Sequence, residues 1–333
     1  MKQQAIIRRG QLVRWRGKGP LADLTGEEFV SVGRRAFAGR RRLEEVRLPA
    51  SLSAAVKARA FRGCRRLKRV VFAEGGGAGL SADVFAGCGR LAEVAGAGGL
   101  IAVGARAFRG CRSLRALELG RDLRSIGERA FEDCRGLESV RVPAGTQRIG
   151  PRAFAGCWEL AEAVLEPGLP ALAPGMFRQC ISLRAPELPA SLAELPPGAF
   201  QECSAIPALR IPGTVRRVGA SAFRGCTGLE RAELELGVTA LGALAFAGCP
   251  ALREVTVPHS LRRLGPGAFG FGRSRQKILL AVDNEYMLRR LRRLVLLCGS
   301  AGRVEIRMCG KTLEERRRER HRASLDSQSP HIS

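Results

Sequence analysis

Val218-Gly219-Ala220-Ser221-Ala222-Phe223-Arg224-Gly225-Cys226-Thr227-Gly228-Leu229 decides the fold, because its pattern recurs along the whole chain. Phe stands at Phe37, Phe61, Phe85, Phe108, Phe131, Phe154, Phe177, Phe200, Phe223, Phe246 and Phe269, at spacings of 24, 24 and then 23 eight times. Five residues before each Phe is an aliphatic, from Val32 and Val56 to Leu241 and Leu264. Three residues after it come Cys64, Cys88, Cys111, Cys134, Cys157, Cys180, Cys203, Cys226 and Cys249; six after it come Leu43, Leu67, Leu91 and their successors. A fixed period of this length is the signature of a solenoid, in which each turn of chain stacks on the last.

Within each period, segments such as Leu252-Arg-Glu-Val255-Thr-Val257-Pro258 alternate apolar and polar residues and stop at proline, as a short strand does. The expected fold is an α/β repeat solenoid of about eleven turns, with short parallel strands, short helical turns and a C-terminal helical cap. Each turn supplies about five inward apolar side chains, too few to fold alone. Stacking supplies the rest: a buried Phe contributes ~1.5–3 kcal/mol, against ~1–2 kcal/mol of backbone entropy per ordered residue.

The unit 218–229 closely resembles the BspA-like class of leucine-rich repeat, whose pattern is aliphatic-Gly-x-x-Ala-Phe-x-Gly-Cys-x-x-Leu, and the resemblance covers about residues 28–282. The opening Ile7-Arg-Arg-Gly10-Gln-Leu12-Val-Arg-Trp15-Arg-Gly17 is similar to that family's entry hairpin. The resemblance implies a right-handed repeat scaffold used for binding or adhesion, and no reaction. Two departures stand out. Many members are exported, whereas the N-terminus here has no apolar stretch that reads as a leader. Glycine-rich sequence also replaces the strand-ending proline at 74–80 and 95–100, which marks those turns as the loosest part of the sheet.

Four regions follow: an entry segment over 1–27, the solenoid over 28–282, an amphipathic helix and strand as a cap over 283–310, and a charged tail over 311–333. In the cap, Met287, Leu288, Leu291, Leu294, Val295 and Cys298 recur at helical spacing opposite Arg289, Arg290, Arg292 and Arg293. A solenoid needs its last open turn covered, and this segment directly follows that turn. No run approaches the ~18 apolar residues of a membrane span.

Little here supports catalysis. The chain has three His, one Tyr and six Asp, and no acid shares a spacing with a His or Cys nucleophile. The glycine clusters at 75–79 and 96–99 lack the Lys-Ser/Thr of a phosphate loop. The in-phase cysteines have none of the two-to-four-residue pairing of metal sites. They read as small buried hydrophobes kept reduced, which with the missing leader points to the cytoplasm. Neither a cofactor nor a small-molecule substrate is expected.

The formal charge of +25, from 50 Arg and 6 Lys against 31 acids, suits polyanionic partners, although solvation of the surface alone also accounts for it. Four residues after the Phe, one column reads Arg41, Arg65, Gly89, Arg112, Arg135, Trp158, Ile181, Ser204, Thr227 and Pro250; the next begins Arg42, Arg66, Arg90. In a solenoid, residues in one phase form a line along the axis. Arg41, Arg42, Arg65, Arg66, Arg112 and Arg135 are therefore the candidate binding residues of the N-terminal half. The expected role is a scaffold for a protein partner, with polyanion binding through the arginines, or adhesion at a cell surface, as alternatives.

Overall fold

Alternate N–H groups of the Phe segment bond within the coil and to the next coil, and this alternation sets the architecture. Ser221, Phe223 and Gly225 donate to the carbonyls of Ala243, Ala245 and Ala247 in the following coil, at 2.8–2.9 Å. Between them, Ala222, Arg224 and Cys226 donate to the carbonyls three residues back, at 3.1–3.3 Å. A helix would need every N–H for its own i−4 carbonyl. The segment is therefore a run of linked turns, and the expected helical turns are absent from the described residues of the repeat coils, apart from one 3₁₀ turn at Ala97–Gly99. The computed structural model describes residues 4–73, 78–184, 186–270, 278–282, 289, 291 and 304–308.

Most coils also present two β faces. On the first, the aliphatic–Gly step forms a parallel ladder through Ser31–Val32, Ala55–Val56, Gly79–Leu80, Ala102–Val103, Ser125–Ile126 and Arg148–Ile149. The antiparallel hairpin of Ala5–Arg8 and Gln11–Trp15 starts that ladder. The glycine of this step is fixed by close approach: a Cβ on Gly150 would lie 2.2 Å from the Glu128 nitrogen of the preceding coil. The second face carries the alternating strands, such as Ala208–Ile211, Arg231–Leu234 and Glu254–Val257, again parallel and in register.

Each ladder has an interruption at a coil where proline removes a donor. The N–H groups of Gln147 and Arg216 bond back to Arg124 and Ala193, but the same position in the coil after Gln147 is Pro170. The first ladder duly restarts at Glu194–Leu195. Pro186 likewise takes the place of Ala163 and Leu209 on the second face, and a proline brings no N–H to a ladder. The glycine-rich segment expected to be loosest still pairs through Glu93–Ala95; the break falls one coil later, at 116–119. Residues 74–77 lie outside the described residues.

The core is a set of ladders along the axis. All eleven repeat Phe side chains are buried, and neighbouring rings stack at 4.5–5.9 Å with planes within 21° of parallel. Trp15 of the entry hairpin covers the first ring, 6.1 Å from Phe37. At the other end, Val304–Met308 adds a parallel strand to Ile278–Val282. The amphipathic helix of the expected cap falls almost wholly outside the described residues. Arg289 and Leu291 are helical and Leu291 is buried, but two residues do not support a helical cap.

Candidate binding surface

The Phe edge of each coil turns twice through left-handed backbone, two residues before and two after the Phe. Gly fills most of the later positions, as at Gly225 with φ 75°, where a side chain would be strained. The earlier position carries Arg35, Arg59, Asp83, Arg106, Arg129 and Arg152 in the first six coils, all at φ 53–61°. Three side-chain columns thus lie along this edge, two residues before, one after and four after the Phe.

The six arginines singled out in the sequence all lie here or in the adjoining column. Arg41, Arg42, Arg65, Arg66 and Arg112 are exposed and Arg135 is half-buried. None of the six makes an ion pair among the described residues. They do not form one uniform line. Gly89 interrupts the column, and the guanidinium of Arg135 lies 3.7 Å from the ring centre of Trp158 in the next coil. Arg66 and Arg90 face Glu44, whose carboxyl is lowered first by its hydrogen bond from Lys68 and then by the charges of Lys68, Arg66 and Arg90. The two coils beyond Arg135 put apolar residues in the column: Trp158 and Ile181 are 40 % and 43 % exposed.

Where Gly89 breaks the column, the other two columns lose their arginine as well. Arg59, Arg62 and Arg65 form one bank of a trough of about 850 Å³, and Arg106, Arg109 and Arg112 form the other. The coil between them contributes Asp83, Ala86, Gly87 and Gly89 as the floor. Asp83 joins the banks at one end, 2.9 Å from Arg106 and 3.5 Å from Arg59. Burial pushes its carboxyl up, but the Arg106 hydrogen bond and the charges of Arg106 and Arg59 outweigh that and leave it below the usual carboxylate value. Arg109 is held by Glu132 at 2.7 Å. Arg62, Arg65 and Arg112 make no ion pair among the described residues.

Reading one column at a time hides this trough. The signal lay in three columns dropping arginine in the same coil. The later coils carry a cationic cluster as well, on a different face from these columns. A groove of about 1090 Å³ on the first β face is lined by Arg216, Arg217, Arg262 and Arg263 around Thr239 and Ala240. Part of that charge is met by Glu194, 3.6 Å from Arg217.

The nine ladder cysteines are free thiols and buried. Each Sγ donates to the carbonyl of the preceding coil's Phe, at 3.1–3.3 Å. Burial pushes the Cys64 thiol up to about 11 and those of Cys203 and Cys249 to about 12. The thiolate, the reactive form, is thereby suppressed.

A model of the BspA-type leucine-rich repeat region, spanning six copies, matches residues 30–161, 78–207 and 194–287. No curated protein matches the chain. Among solved structures, a leucine-rich repeat protein from Bacteroides ovatus is 19 % identical, covering 93 % of this chain and 97 % of that one, with a TM-score of 0.48. The pneumococcal vaccine antigen PcpA is 17 % identical over 85 % of this chain and 72 % of its own, at 0.47. A leucine-rich cell surface protein from Faecalibacterium prausnitzii is 17 % identical over 77 % and 95 %, at 0.39. No helix among the described residues is long and apolar enough to cross a membrane. The expected cytoplasmic location gains no support from these likenesses.

Proposed function

Since the chain belongs to the BspA-type leucine-rich repeat family, we propose that it is a non-enzymatic scaffold that takes a protein partner along its Phe edge. The observation that carries this is the change of chemistry along one column, from exposed Arg65 and Arg112 to exposed Trp158 and Ile181, with Arg135 packed on Trp158 at the junction. Arginine and tryptophan are the residues that dominate binding energy at protein interfaces, where an aromatic anchor is ringed by polar contacts. A partner offering an apolar side chain beside acidic groups matches that sequence of surfaces.

The test is capture from native lysate at low and high salt, with the native chain and a Trp158→Ser/Ile181→Ser variant. The expected result is a protein retained at high salt by the native chain and lost by the variant. Equal capture by both removes this edge from the reading.

A second reading, contact with a polyanion through the arginine columns, is favoured by the six candidate arginines lying outside any ion pair among the described residues. Counterion release makes such binding fall steeply with salt. Material that is released by salt and insensitive to the Trp158 and Ile181 changes marks this second reading.

A further inference from the structure

Cationic charge is not spread evenly along the Phe edge. One residue after the Phe, the column reads Ala38, Arg62, Ala86, Arg109, Glu132 and Ala155. Arginine stands in all three columns only in the coils either side of Asp83, Ala86 and Gly89. With a coil spacing of ~4.8 Å, the two arginine banks lie about 10 Å apart, across a floor with almost no side chain. Long guanidinium side chains from both sides reach the space above it.

The trough is closed at one end, where Asp83 holds Arg59 and Arg106. Its far flank is bounded by Asp133, which lines it, and by Glu132, which holds Arg109. The charge left over belongs to Arg62, Arg65 and Arg112, concentrated above Gly87 and Gly89. Such a site suits one compact anion better than a long polymer, which would pass over acids on either side. Guanidinium forks donate paired hydrogen bonds to oxyanions, and arginines from opposite banks surround a tetrahedral group more completely than a planar carboxylate. No aromatic residue lines the trough, so a nucleic-acid base finds no stacking platform.

We propose that the trough over Ala86, Gly87 and Gly89 is a binding site for a single tetrahedral oxyanion, a phosphate or sulfate ester group, clamped by Arg62 and Arg65 on one bank and Arg112 on the other. The inference rests on the scaffold reading, in that the ester group belongs to the partner. Asp83 acts as a positioning residue that orients the two arginines at the closed end.

Three variants separate a shaped site from diffuse charge. Gly89→Met fills the floor without altering charge; its Cβ meets only the Gly110 carbonyl oxygen, at 3.9 Å, and its φ is unstrained, so the coil accepts it. Arg65→Ala/Arg112→Ala removes two charges from the banks. Arg41→Ala/Arg42→Ala removes the same charge outside the trough. The probes are inorganic phosphate, inorganic sulfate, a blocked phosphoserine tripeptide and a single-stranded oligothymidylate, titrated by calorimetry at about pH 8, where a phosphate monoester is dianionic. The expected result is that Gly89→Met and Arg65→Ala/Arg112→Ala weaken phosphate and phosphopeptide binding by about tenfold or more, while Arg41→Ala/Arg42→Ala stays within about twofold.

A phosphopeptide that binds more tightly than both inorganic ions assigns the group to a partner's side chain; equal affinity assigns it to a free oxyanion and keeps the site. Equal losses from the two double variants, unchanged binding by Gly89→Met, or no phosphate binding by the native chain overturns the proposal. So does an oligothymidylate that binds more tightly than the phosphopeptide with the same dependence on the variants. Should Gly89→Met lose phosphate yet capture the same protein, the scaffold stands and only the partner's ester group is wrong.

Discussion

Phe154 sits between the rings of Phe131 and Phe177, with centroids 5.0 and 5.7 Å away. Truncation there removes two stacking contacts and leaves a void inside a ladder that its neighbours hold open. Phe154→Ala is expected to cost ~3–5 kcal/mol, read as a lowered urea midpoint with unchanged slope. Thr146 carries the opposite expectation. It is fully buried in a column otherwise filled by Leu123, Leu169, Leu192, Val215, Val238 and Leu261, and its Oγ1 has no hydrogen-bond partner. A buried hydroxyl left unpaired costs ~1–3 kcal/mol, and valine keeps the shape without that cost. Thr146→Val is therefore expected to stabilise by about 1 kcal/mol or more in the same denaturation measurement; a loss of stability would show that the hydroxyl is satisfied.

At the scale of elements, the cysteine ladder makes a prediction about alkali. Burial holds the folded thiols of Cys64, Cys203 and Cys249 at about 11 to 12, whereas an unfolded thiol titrates near ~8.5. Below ~8.5 both states hold the proton and the stability is complete. As pH rises from there towards the folded values, the unfolded chain loses protons that the folded chain keeps, and stability falls. Urea midpoints are expected to drop between about pH 8 and pH 10, and less so in a variant with two ladder cysteines changed to alanine. Thiol reagents at neutral pH should leave the nine ladder sites unlabelled in the native protein; rapid labelling at several would contradict their burial. The ladders' interruptions belong to this scale too, since Pro170 and Pro186 each remove a donor that neighbouring coils use.

For the whole molecule, the ends decide whether the stack stays single. Trp15 closes the Phe ladder at the start, and Val304–Met308 pairs with Ile278–Val282 at the finish. Ending the chain at residue 303 would leave Ile278–Val282 as an open parallel edge, a template for another chain. The shortened protein is expected to self-associate, seen as a larger species in light scattering; a monomer of unchanged stability would show that the strand is not a cap. The sequence alone determined the period and the buried Phe and Cys columns, because these follow from which residue type recurs at which spacing; the entry hairpin followed from the resemblance to the family. It misled on the helical turns, because periodicity shows which side chains face inward and not where each N–H finds its acceptor. Ser221, Phe223 and Gly225 send theirs to the next coil, a choice available only once two coils lie side by side. The trough belongs with that second group. Arg65, Gly89 and Arg112 stand 24 and 23 residues apart in the chain, and what each arginine has left to offer a ligand is set by acids from other coils, Asp83 and Glu132. Sequence placed the charges; stacking decided which are spent on neighbours, because ion pairing depends on distance across coils and not along the chain.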